Sequence, residues 1–358
     1  MLKADVFQEK ILIWFDQHGR KDLPWQQPVT PYRVWVSEIM LQQTQVSSVI
    51  PYFNRFMKSF PNVESLSYAP LDDVLQHWAG LGYYARARNL HKAARLIIKQ
   101  GEFPGSLETL TALPGIGLST AGAILSIAFQ QPAPILDGNV RRVFTRFCAI
   151  EGWSGEAKIN QQLWEISKFY TPAQRVADYT QAIMDLGATL CTRTKPLCHV
   201  CPIARFCQAK LDGKTAVLPT PKPSKKNPVK TLVFLLLQNN QQQILLEKRP
   251  PHGIWGGLWS LPEFADLTSA RSWCLENNLP QRQEQIFPVQ RHTFSHYHLD
   301  YTPLLICSNN LSNRVMESDK YLWYKLSEIQ TLALPVPILR LLQDLKHNER
   351  GIQHDTNG

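Results

Sequence analysis

Leu113-Pro-Gly-Ile-Gly117 decides the fold of the first part of this chain, because it forms a short turn in front of an apolar helical pattern. Proline and two glycines favour a tight turn, and the next predicted helix, Ser119–Phe129, follows at once. The start of a helix offers free backbone N–H groups and a favourable dipole, which suit one phosphate. A helix–turn–helix joint without any ligand has the same pattern, so both interpretations stay open.

Helical patterns continue on both sides of this turn through residues 1–212. Apolar residues recur near a 3.6-residue period across Val34–Phe56, which predicts a helical segment there. Pro51 is among the prolines and glycines predicted to interrupt the helices. Further helices are predicted at Leu71–Trp78, Ala85–Lys99, Val140–Ile150 and Gln161–Phe169.

The C-terminal third changes to a mixed α+β pattern. The Pro- and Lys-rich stretch Leu218–Pro228 separates it from the helical part and is predicted to be an extended linker. Strands are predicted at Lys230–Leu237, Gln243–Glu247, His298–Ile306 and Tyr321–Tyr324, and helices near Thr268–Asn277 and Ile338–Leu345.

The excess positive charge lies entirely in the helical part. Residues 1–226 contain 26 Lys and Arg against 17 Asp and Glu, whereas residues 227–358 contain 12 of each. A basic domain beside a neutral one favours a polyanionic partner for the first, although a solvated basic surface is equally compatible. With no apolar run long enough to cross a bilayer and no secretory signal at the N-terminus, we expect a cytoplasmic protein without a membrane partner.

Four of the seven cysteines fall within one short segment as C-x6-C-x2-C-x5-C: Cys191, Cys198, Cys201 and Cys207. Structural zinc sites usually show two close cysteine pairs, and the wider gaps here suit a [4Fe–4S] cube. Zinc and four unrelated thiols remain the alternatives. The cations inside these loops, Arg193, Lys195 and Arg205, indicate a surface that shapes DNA binding. Core positions are the preferred interpretation for Cys148, Cys274 and Cys307.

Two carboxylates stand out for acid–base chemistry. Glu38 lies on or beside the apolar stripe of its helix, where desolvation raises a carboxyl pKa and makes a general acid. Asp137 lies in Ile135-Leu-Asp-Gly-Asn139 before a helix, where an N-cap is the simpler interpretation. Cleavage of a glycosidic bond needs one protonated and one ionised carboxylate, but the spacing does not show that these two meet.

The turn, Leu136-Asp-Gly-Asn-Val140 and the cysteine spacing together resemble the endonuclease III superfamily of helix–hairpin–helix DNA glycosylases. Ser37-Glu-Ile-Met-Leu-Gln-Gln-Thr-Gln45, Gly80-Leu-Gly-Tyr-Tyr-Ala-Arg86 and Met184-Asp-Leu-Gly-Ala188 resemble the adenine DNA glycosylases of the MutY family. The resemblance covers nearly the whole chain. It implies a monomeric base excision repair enzyme that flips adenine out of double-stranded DNA, from mispairs with 8-oxoguanine or guanine, and removes it.

The resemblance also implies roles for individual residues. Glu38 protonates adenine, Asp137 stabilises the oxocarbenium ion electrostatically or covalently, and Asn139 and Ser119 assist. The residues implied for adenine binding are Trp25, Gln26 and Asp185. Those implied for DNA binding are Gln42, Gln43, Tyr83 as a wedge, Gly115, Gly117, and the 8-oxoguanine-inspecting loop Phe294, Ser295 and His296. One [4Fe–4S] cluster is implied on Cys191, Cys198, Cys201 and Cys207.

Ser119 distinguishes two branches of the superfamily. Bifunctional relatives carry a lysine there that attacks the sugar, and a serine hydroxyl cannot form a Schiff base. We therefore expect a monofunctional glycosylase. An endonuclease III-like lyase on oxidised bases is the alternative, and an iron–sulfur sensor without chemistry is a third hypothesis.

The C-terminal domain resembles the Nudix fold. Gly257, Glu263, Arg271 and Glu276 match its G-x5-E-x7-R-E-U-x-E-E box, but Ser272 and Leu275 stand where the box has glutamates. Since those glutamates bind divalent metal, we expect a reading module rather than a nucleotide pyrophosphohydrolase. A histidine-rich metal tract is the alternative for the segment around residues 294–296.

The predicted domain plan combines these parts. Residues 1–29 and 136–213 form a helical iron–sulfur cluster domain, residues 30–135 a six-helix helix–hairpin–helix domain, and residues 214–229 a linker. Residues 230–350 form the Nudix-like domain, and residues 351–358 a disordered tail. The expected fold class is a mainly α N-terminal region followed by an α+β Nudix-like domain.

Overall fold

The chain divides into two compact units in the computed structural model, which describes residues 2–223, 226–279, 283–308 and 320–355. One unit comprises Met1–Tyr68 and Asn89–Ser224, and the other comprises Ala69–Arg88 and Lys225–Gly358. The first is helical and the second is built on a mixed sheet, so the predicted fold class is confirmed. No helix among the described residues is both long enough and apolar enough to cross a membrane.

The helices have bounds that match the predicted ones closely at Leu71–Trp78, Ala85–Lys99, Ser119–Phe129 and Thr268–Asn277, but the helix predicted at Gln161–Phe169 begins four residues earlier and the one predicted at Ile338–Leu345 continues ten residues further. In chain order they are α1 (Ala4–His18), α2 (Pro31–Leu41), α3 (Val46–Ser59), α4 (Val63–Tyr68), α5 (Leu71–Trp78), α6 (Ala85–Gln100), α7 (Leu107–Thr111), α8 (Leu118–Ala128), α9 (Gly138–Phe147), α10 (Ala157–Tyr170), α11 (Val176–Asp185), α12 (Gln208–Leu211), α13 (Leu267–Glu276) and α14 (Val336–Asp355). A π-helical turn, Leu186–Leu190, continues α11.

The helical segment predicted over Val34–Phe56 is wrong as a single run. The chain leaves α2 at Gln42, and Gln43 takes a left-handed φ of 57° before α3 begins. Pro51, predicted to interrupt the helices, lies inside α3. Pro51 has no backbone N–H and cannot donate the helical hydrogen bond at its position. Burial of the apolar face of α3 offsets this loss.

Helix α8 forms the centre of the helical unit. Its residues from Thr120 to Ile127 are all buried, as expected for a helix that is apolar on every side. It packs against α2 and α11, so the N-terminal turn of α8 is fixed relative to both. Gln42 at the end of α2 donates to the Thr120 hydroxyl, with an Nε2–Oγ1 distance of 3.4 Å. This packing brings distant stretches of sequence to one place.

The predicted linker begins as packed structure. Leu218 is buried, and its carbonyl accepts a hydrogen bond of 2.8 Å from Arg146 Nε in α9. At the other end of the chain, α14 continues to Asp355, so it includes part of the segment predicted as a disordered tail. Residues 356–358 lie outside the described residues. The remaining predicted domain boundaries stay predictions.

The sheet of the second unit is mixed. Its strands are β1 (Val229–Gln238), β2 (Gln243–Lys248), β3 (Trp259–Ser260), β4 (Glu263–Phe264), β5 (Gln283–Ile286), β6 (Gln290–Thr293), β7 (His298–Cys307) and β8 (Tyr321–Lys325). Strands β1 and β7 run parallel along their whole length, and the other pairs are antiparallel. Apolar clusters cover both faces of β1, since Phe234 belongs to one and Leu235 to the other.

Candidate active site

A cleft of about 790 Å³ opens in the helical unit between residues far apart in sequence. It collects most of the predicted catalytic and adenine-binding residues: Trp25, Glu38, Ser119, Asp137, Asn139 and Asp185. Gln42 and Gln43, predicted to contact DNA, also line it. Its volume is in the range of small-molecule pockets, so a single base with its sugar fits by size.

Glu38 lies on α2 with its carboxyl at the wall of the cleft. Burial first, and the nearby negative charge of Asp137 second, raise the pKa of Glu38 to about 8. Within the part of the chain that the structure describes, no side chain or backbone group donates a hydrogen bond to this carboxyl. Glu38 therefore holds a proton at neutral pH, as the sequence predicted from its position beside the apolar stripe.

Asp137 is the N-cap of α9, as the simpler interpretation predicted, and it also lines the cleft. Its Oδ1 accepts from the backbone N–H groups of Asn139 at 3.1 Å and Val140 at 2.7 Å. Burial raises the pKa of Asp137, while these hydrogen bonds and the charge of Arg142 oppose the rise. The donors favour the ionised form of Asp137, in contrast to Glu38.

Ser119 and Asn139 hold the loop that carries Asp137. The Ser119 hydroxyl oxygen accepts from the N–H of Leu136 at 3.0 Å. Asn139 Nδ2 donates to Asp137 Oδ2 at 3.3 Å, and Asn139 Oδ1 accepts from Arg142 Nη2 at 2.8 Å. Both predicted assisting residues are therefore placed beside the aspartate.

The adenine-binding residues predicted around positions 25 and 185 differ in their surroundings. Trp25 is buried in the cleft wall, edge-on to Phe53 with ring centroids 5.5 Å apart. Gln26 instead braces its own turn, since its Nε2 donates to Arg20 O at 2.9 Å and its Oε1 accepts from Leu23 N at 3.0 Å. Asp185 is almost fully buried and forms an ion pair with Arg20.

Sequence reasoning missed Arg20, Arg142 and Arg146. Arg20 reaches Asp185 across 165 positions of sequence, and no local pattern predicts that pair. Arg142 donates through Nε to Cys191 O at 2.6 Å, and Arg146 through Nη1 to Thr192 O at 2.7 Å. The i, i+4 spacing of Arg142 and Arg146 on α9 was an available signal, because it places both on one face.

The four cysteines predicted as metal ligands, Cys191, Cys198, Cys201 and Cys207, line a common cavity. Buried Arg146 faces the same cavity, with Nη1 3.4 Å from the Sγ of Cys191. Burial, and then the neighbouring thiols, raise the pKa of Cys201 to about 12. Among the residues that the structure describes, no group of three or more His, Cys, Asp or Glu side chains is arranged to hold a metal ion.

The predicted hairpin joins α7 to α8. Gly115 has a left-handed φ of 83°, and a Cβ there would lie 2.9 Å from the Cβ of Asn89. Only glycine fits this turn without strain. Gly117 is the N-cap of α8 and a Cβ there would meet no atom within 4 Å, so the approach to the helix start is open.

Tyr83, predicted as a wedge, lies in the second unit at an exposed tip. The tip is residues 80–84, between α5 and α6, and the ring of Tyr83 is 50% exposed. Tyr83 has a φ of 50°, and the preceding Gly82 a φ of 76°. Arg86 braces the tip from below by donating to Gly82 O at 3.0 Å. The aromatic side chain is therefore presented by a rigid turn.

A second tip lies between β6 and β7 and contains Phe294, Ser295 and His296. Ser295 and His296 are exposed, and the turn is closed by a hydrogen bond of 2.9 Å from Phe294 N to Tyr297 O. The ring of Phe294 stacks on Tyr297 at 4.7 Å between centroids. Stacking on a buried tyrosine fixes the tip, as a surface that inspects another molecule requires.

The residues that match the Nudix box take part in ion pairs. Glu263 pairs with Arg249, and Arg271 pairs with Glu284. Gly257 has a φ of 77° and begins the box in a tight turn. Glu263, one of the two box glutamates that remain, is thus neutralised by an arginine.

Two family profiles match the chain. One, described as HhH-GPD superfamily base excision DNA repair protein, matches residues 36–169, and the other, described as NUDIX domain, matches residues 233–344. Among solved structures, a thermostable thymine-DNA glycosylase is 26% identical and aligns with a TM-score of 0.53 over 58% of this chain and 97% of its own. A non-covalent endonuclease III–DNA complex, 22% identical with a TM-score of 0.50, shares the fold.

Whole-length relatives are similar over both units. The adenine DNA glycosylase of Buchnera aphidicola subsp. Acyrthosiphon pisum is 40% identical over 345 residues, which are 96% of this chain and 98% of that protein. The adenine DNA glycosylase of Homo sapiens is 36% identical over 365 residues, 84% of this chain and 66% of that protein. With this identity over nearly its whole length, the chain belongs to the adenine DNA glycosylase (MutY) family.

Proposed function

We propose that this protein hydrolyses the N-glycosidic bond of adenine in double-stranded DNA when the adenine is mispaired with 8-oxoguanine or guanine. The observation that carries the proposal is the pair of carboxyls in one cleft, Glu38 with a pKa raised to about 8 and Asp137 held by backbone donors. Hydrolysis of a glycosidic bond needs this division between a proton donor and an anion.

The reaction follows from the geometry of the two carboxyls. Glu38 donates its proton to a ring nitrogen of the flipped adenine, so adenine leaves as a neutral base when the N–C1′ bond breaks. The deoxyribose carries the positive charge, and the carboxylate of Asp137 stabilises it. Water then adds to C1′ and gives its proton to Glu38, which restores the enzyme and leaves an abasic site.

Cleavage stops at the abasic site because Ser119 supplies no amine. Its hydroxyl oxygen is already engaged by the N–H of Leu136. A β-elimination step through a Schiff base needs a primary amine at the sugar. Strand nicking by the purified protein, without added alkali, would favour the endonuclease III-like lyase instead.

Binding of duplex DNA uses tips and turns from both units. Gly115 and the open N-terminus of α8 at Gly117 suit a backbone phosphate. The exposed ring of Tyr83 suits insertion into the base stack, and Gln42 and Gln43 follow the end of α2 into the cleft. Enzymes that act on a base must first take it out of the stack.

Inspection of the base opposite adenine falls to Phe294, Ser295 and His296. The two exposed polar side chains offer a hydroxyl and an imidazole to a base edge, and the stacked ring of Phe294 holds them. An 8-oxoguanine differs from guanine by one additional carbonyl and one N–H, which such groups can distinguish. The pairing of Glu263 with Arg249 argues for reading rather than metal-dependent hydrolysis in this unit.

The common cavity of the four cysteines supports the proposal of one [4Fe–4S] cluster at this place. Its four thiols share a cavity with the guanidinium of Arg146, whose charge offsets the anionic ligands. A cluster bound there would organise the loop without taking part in base chemistry. The iron content of the purified protein tests this: about four irons per chain are expected, and about one zinc would favour the alternative.

Single-turnover release of adenine tests the whole proposal. The substrates are duplexes with adenine opposite 8-oxoguanine, guanine or thymine, and the expected order of rates follows that sequence. Release from the first two substrates, with an intact abasic strand, supports the proposal. Failure to release adenine from any duplex by a protein that contains its metal overturns it.

A further inference from the structure

The two exposed tips of the second unit are connected through one loop, residues 250–258, which we call the Trp255 loop. The loop follows β2 and contains Gly257, the first residue of the Nudix box. Gly257 N donates to Pro250 O at 3.1 Å, and Leu258 N donates to Trp255 O at 3.0 Å, so the loop is closed on itself. The loop contacts the tip that contains Phe294 on one side and the segment that carries Tyr83 on the other.

One side of the loop meets the tip that contains Phe294. The ring of Trp255 lies 5.4 Å from that of Phe294 and 5.8 Å from that of His292, between centroids. Trp255 has a φ of 54°, an uncommon conformation for a tryptophan. The strained backbone at Trp255 therefore directs its indole ring at the tip.

The other side of the loop meets the segment that carries Tyr83. Arg88, five residues after Tyr83 and in the first turn of α6, donates through Nη1 to Gly256 O at 2.6 Å. A Cβ on Gly257 would lie 3.6 Å from Leu75 Cδ1 in α5, so the turn packs directly on that helix. Lys248 at the end of β2 pairs with Asp72 at 2.5 Å.

Glu263, one of the remaining Nudix-box glutamates, holds the loop in place. Glu263 pairs with Arg249, and Arg249 Nε donates to Ile254 O at 2.9 Å, next to Trp255. A side chain of the Nudix box is thus used to hold a loop.

We propose that the Trp255 loop couples the two tips, so that engagement of a base by residues 294–296 fixes the position of Tyr83, with Arg88 and Trp255 as positioning residues. This inference rests on the proposed function of the two tips, and it adds a physical connection between lesion reading and insertion into the stack. A ring contact, a tight turn and a short hydrogen bond form that connection. Coupling between sites requires such an element, whose state both sites influence.

A double-mutant cycle on lesion preference tests the coupling. Preference is the ratio of single-turnover rates for adenine opposite 8-oxoguanine and opposite guanine, measured with saturating enzyme. Phe294→Ala and Arg88→Ala should each lower this ratio by about tenfold, and the double variant should fall little further. In Arg88→Ala the rate of adenine release opposite guanine should change by less than about twofold. The reason is that residues 294–296 do not engage guanine as they engage 8-oxoguanine, so the connection to Tyr83 contributes little on that substrate.

Matched variants separate positioning from charge and from folding. Arg95→Ala removes an exposed arginine of the same helix and should leave the ratio unchanged. Arg88→Lys keeps a donor for Gly256 O and should recover most of the ratio. Losses that multiply in the double variant, or an Arg95→Ala loss equal to that of Arg88→Ala, would overturn the coupling.

A measurement without DNA keeps the inference separate from the proposed function. Trp255→Ala should speed amide hydrogen exchange in residues 80–84 of the free protein by roughly tenfold, while exchange in α8 is unchanged. Unchanged exchange in residues 80–84 contradicts the coupling, whatever the activity. If the wild-type protein releases no adenine, but Trp255→Ala still speeds exchange in residues 80–84, only the proposed function is contradicted.

Discussion

The cleft of the helical unit and the Nudix-box region of the sheet unit differ in how their carboxylates are paired. Glu38 lines the cleft with no hydrogen-bond donor among the residues that the structure describes and keeps its proton, whereas Glu263 is matched by Arg249. An unpaired buried carboxyl is costly, so it persists where the chemistry needs it. A paired one contributes to structure. The comparison teaches that the position of a carboxylate in a motif matters less than what surrounds it.

The same contrast appears in how the two regions use arginine. In the helical unit, Arg142 and Arg146 donate to backbone carbonyls and leave Asp137 mainly to backbone N–H donors. In the sheet unit, Arg249 and Arg271 each neutralise a glutamate directly. Arg20 is an exception within the helical unit, since it pairs directly with Asp185.

The strongest test of this contrast is Glu38→Gln, which keeps the shape of the side chain and removes the carboxyl proton that could be transferred. We expect adenine release to fall by about 10³-fold, because general acid catalysis contributes on that scale. Single-turnover assays on the adenine–8-oxoguanine duplex measure it. The control Glu64→Gln changes an exposed carboxylate and should retain the wild-type rate. Equal rates for Glu38→Gln and wild type would remove Glu38 from the reaction.

The pH profile tests the same proton without a mutation. The pKa of Glu38 is about 8, so the acid form predominates below that pH and is lost above it. The single-turnover rate should fall as pH rises through about 8, approaching tenfold per pH unit beyond it. A rate that rises across this range would mean that Glu38 acts first as a base.

A smaller effect is expected at the reading tip. Phe294→Ala removes the ring that stacks on Tyr297 and should lower the preference for 8-oxoguanine by about tenfold while adenine release opposite guanine continues. Phe294→Tyr is the matched control, since it retains the ring. Equal losses on both duplexes would show that this tip serves general DNA binding instead of reading.

The smallest effect is on stability. Between the ordinary pKa of 4.5 and the folded-state value of about 8, the folded protein holds a proton on Glu38 that the unfolded chain has released. Stability from this group is complete at low pH and is lost as pH rises through that window. Glu38→Gln removes the loss, so its Tm should exceed that of wild type by a few °C near pH 8 and match it near pH 4. Thermal scans at both pH values would contradict this if the difference were constant.

The sequence predicted the fold class and the helix bounds well where apolar periodicity was strong, as in Leu71–Trp78. It failed at residues 42–45, because the apolar period runs on across the break between α2 and α3. It also missed β5, whose side chains are all exposed and carry no alternation. Short polar strands are stabilised by pairing with a neighbour, here β7, and that partner is not visible locally.

Individual site residues could be predicted from the sequence, but their arrangement in one cleft could not. Glu38 and Asp137 were found from position and motif, yet only the packing of α2 and α11 on α8 creates the cleft. Gln26 shows the opposite case, since its side chain is used within its own turn. The assignment of Tyr83 depended on a tip of glycines, and its positive φ agrees with that expectation.

Helix α9 connects the cleft to the cysteine loop. Its first turn is capped by Asp137, and its later turns hold the cysteine loop through Arg142 and Arg146. A helix of ten residues, about 15 Å long, thus joins Asp137 to a loop whose Thr192 and Arg193 also line the cleft. Substitutions that release Arg142 or Arg146 from the loop carbonyls should therefore disturb the position of Asp137, although the loop lies far from it in the sequence.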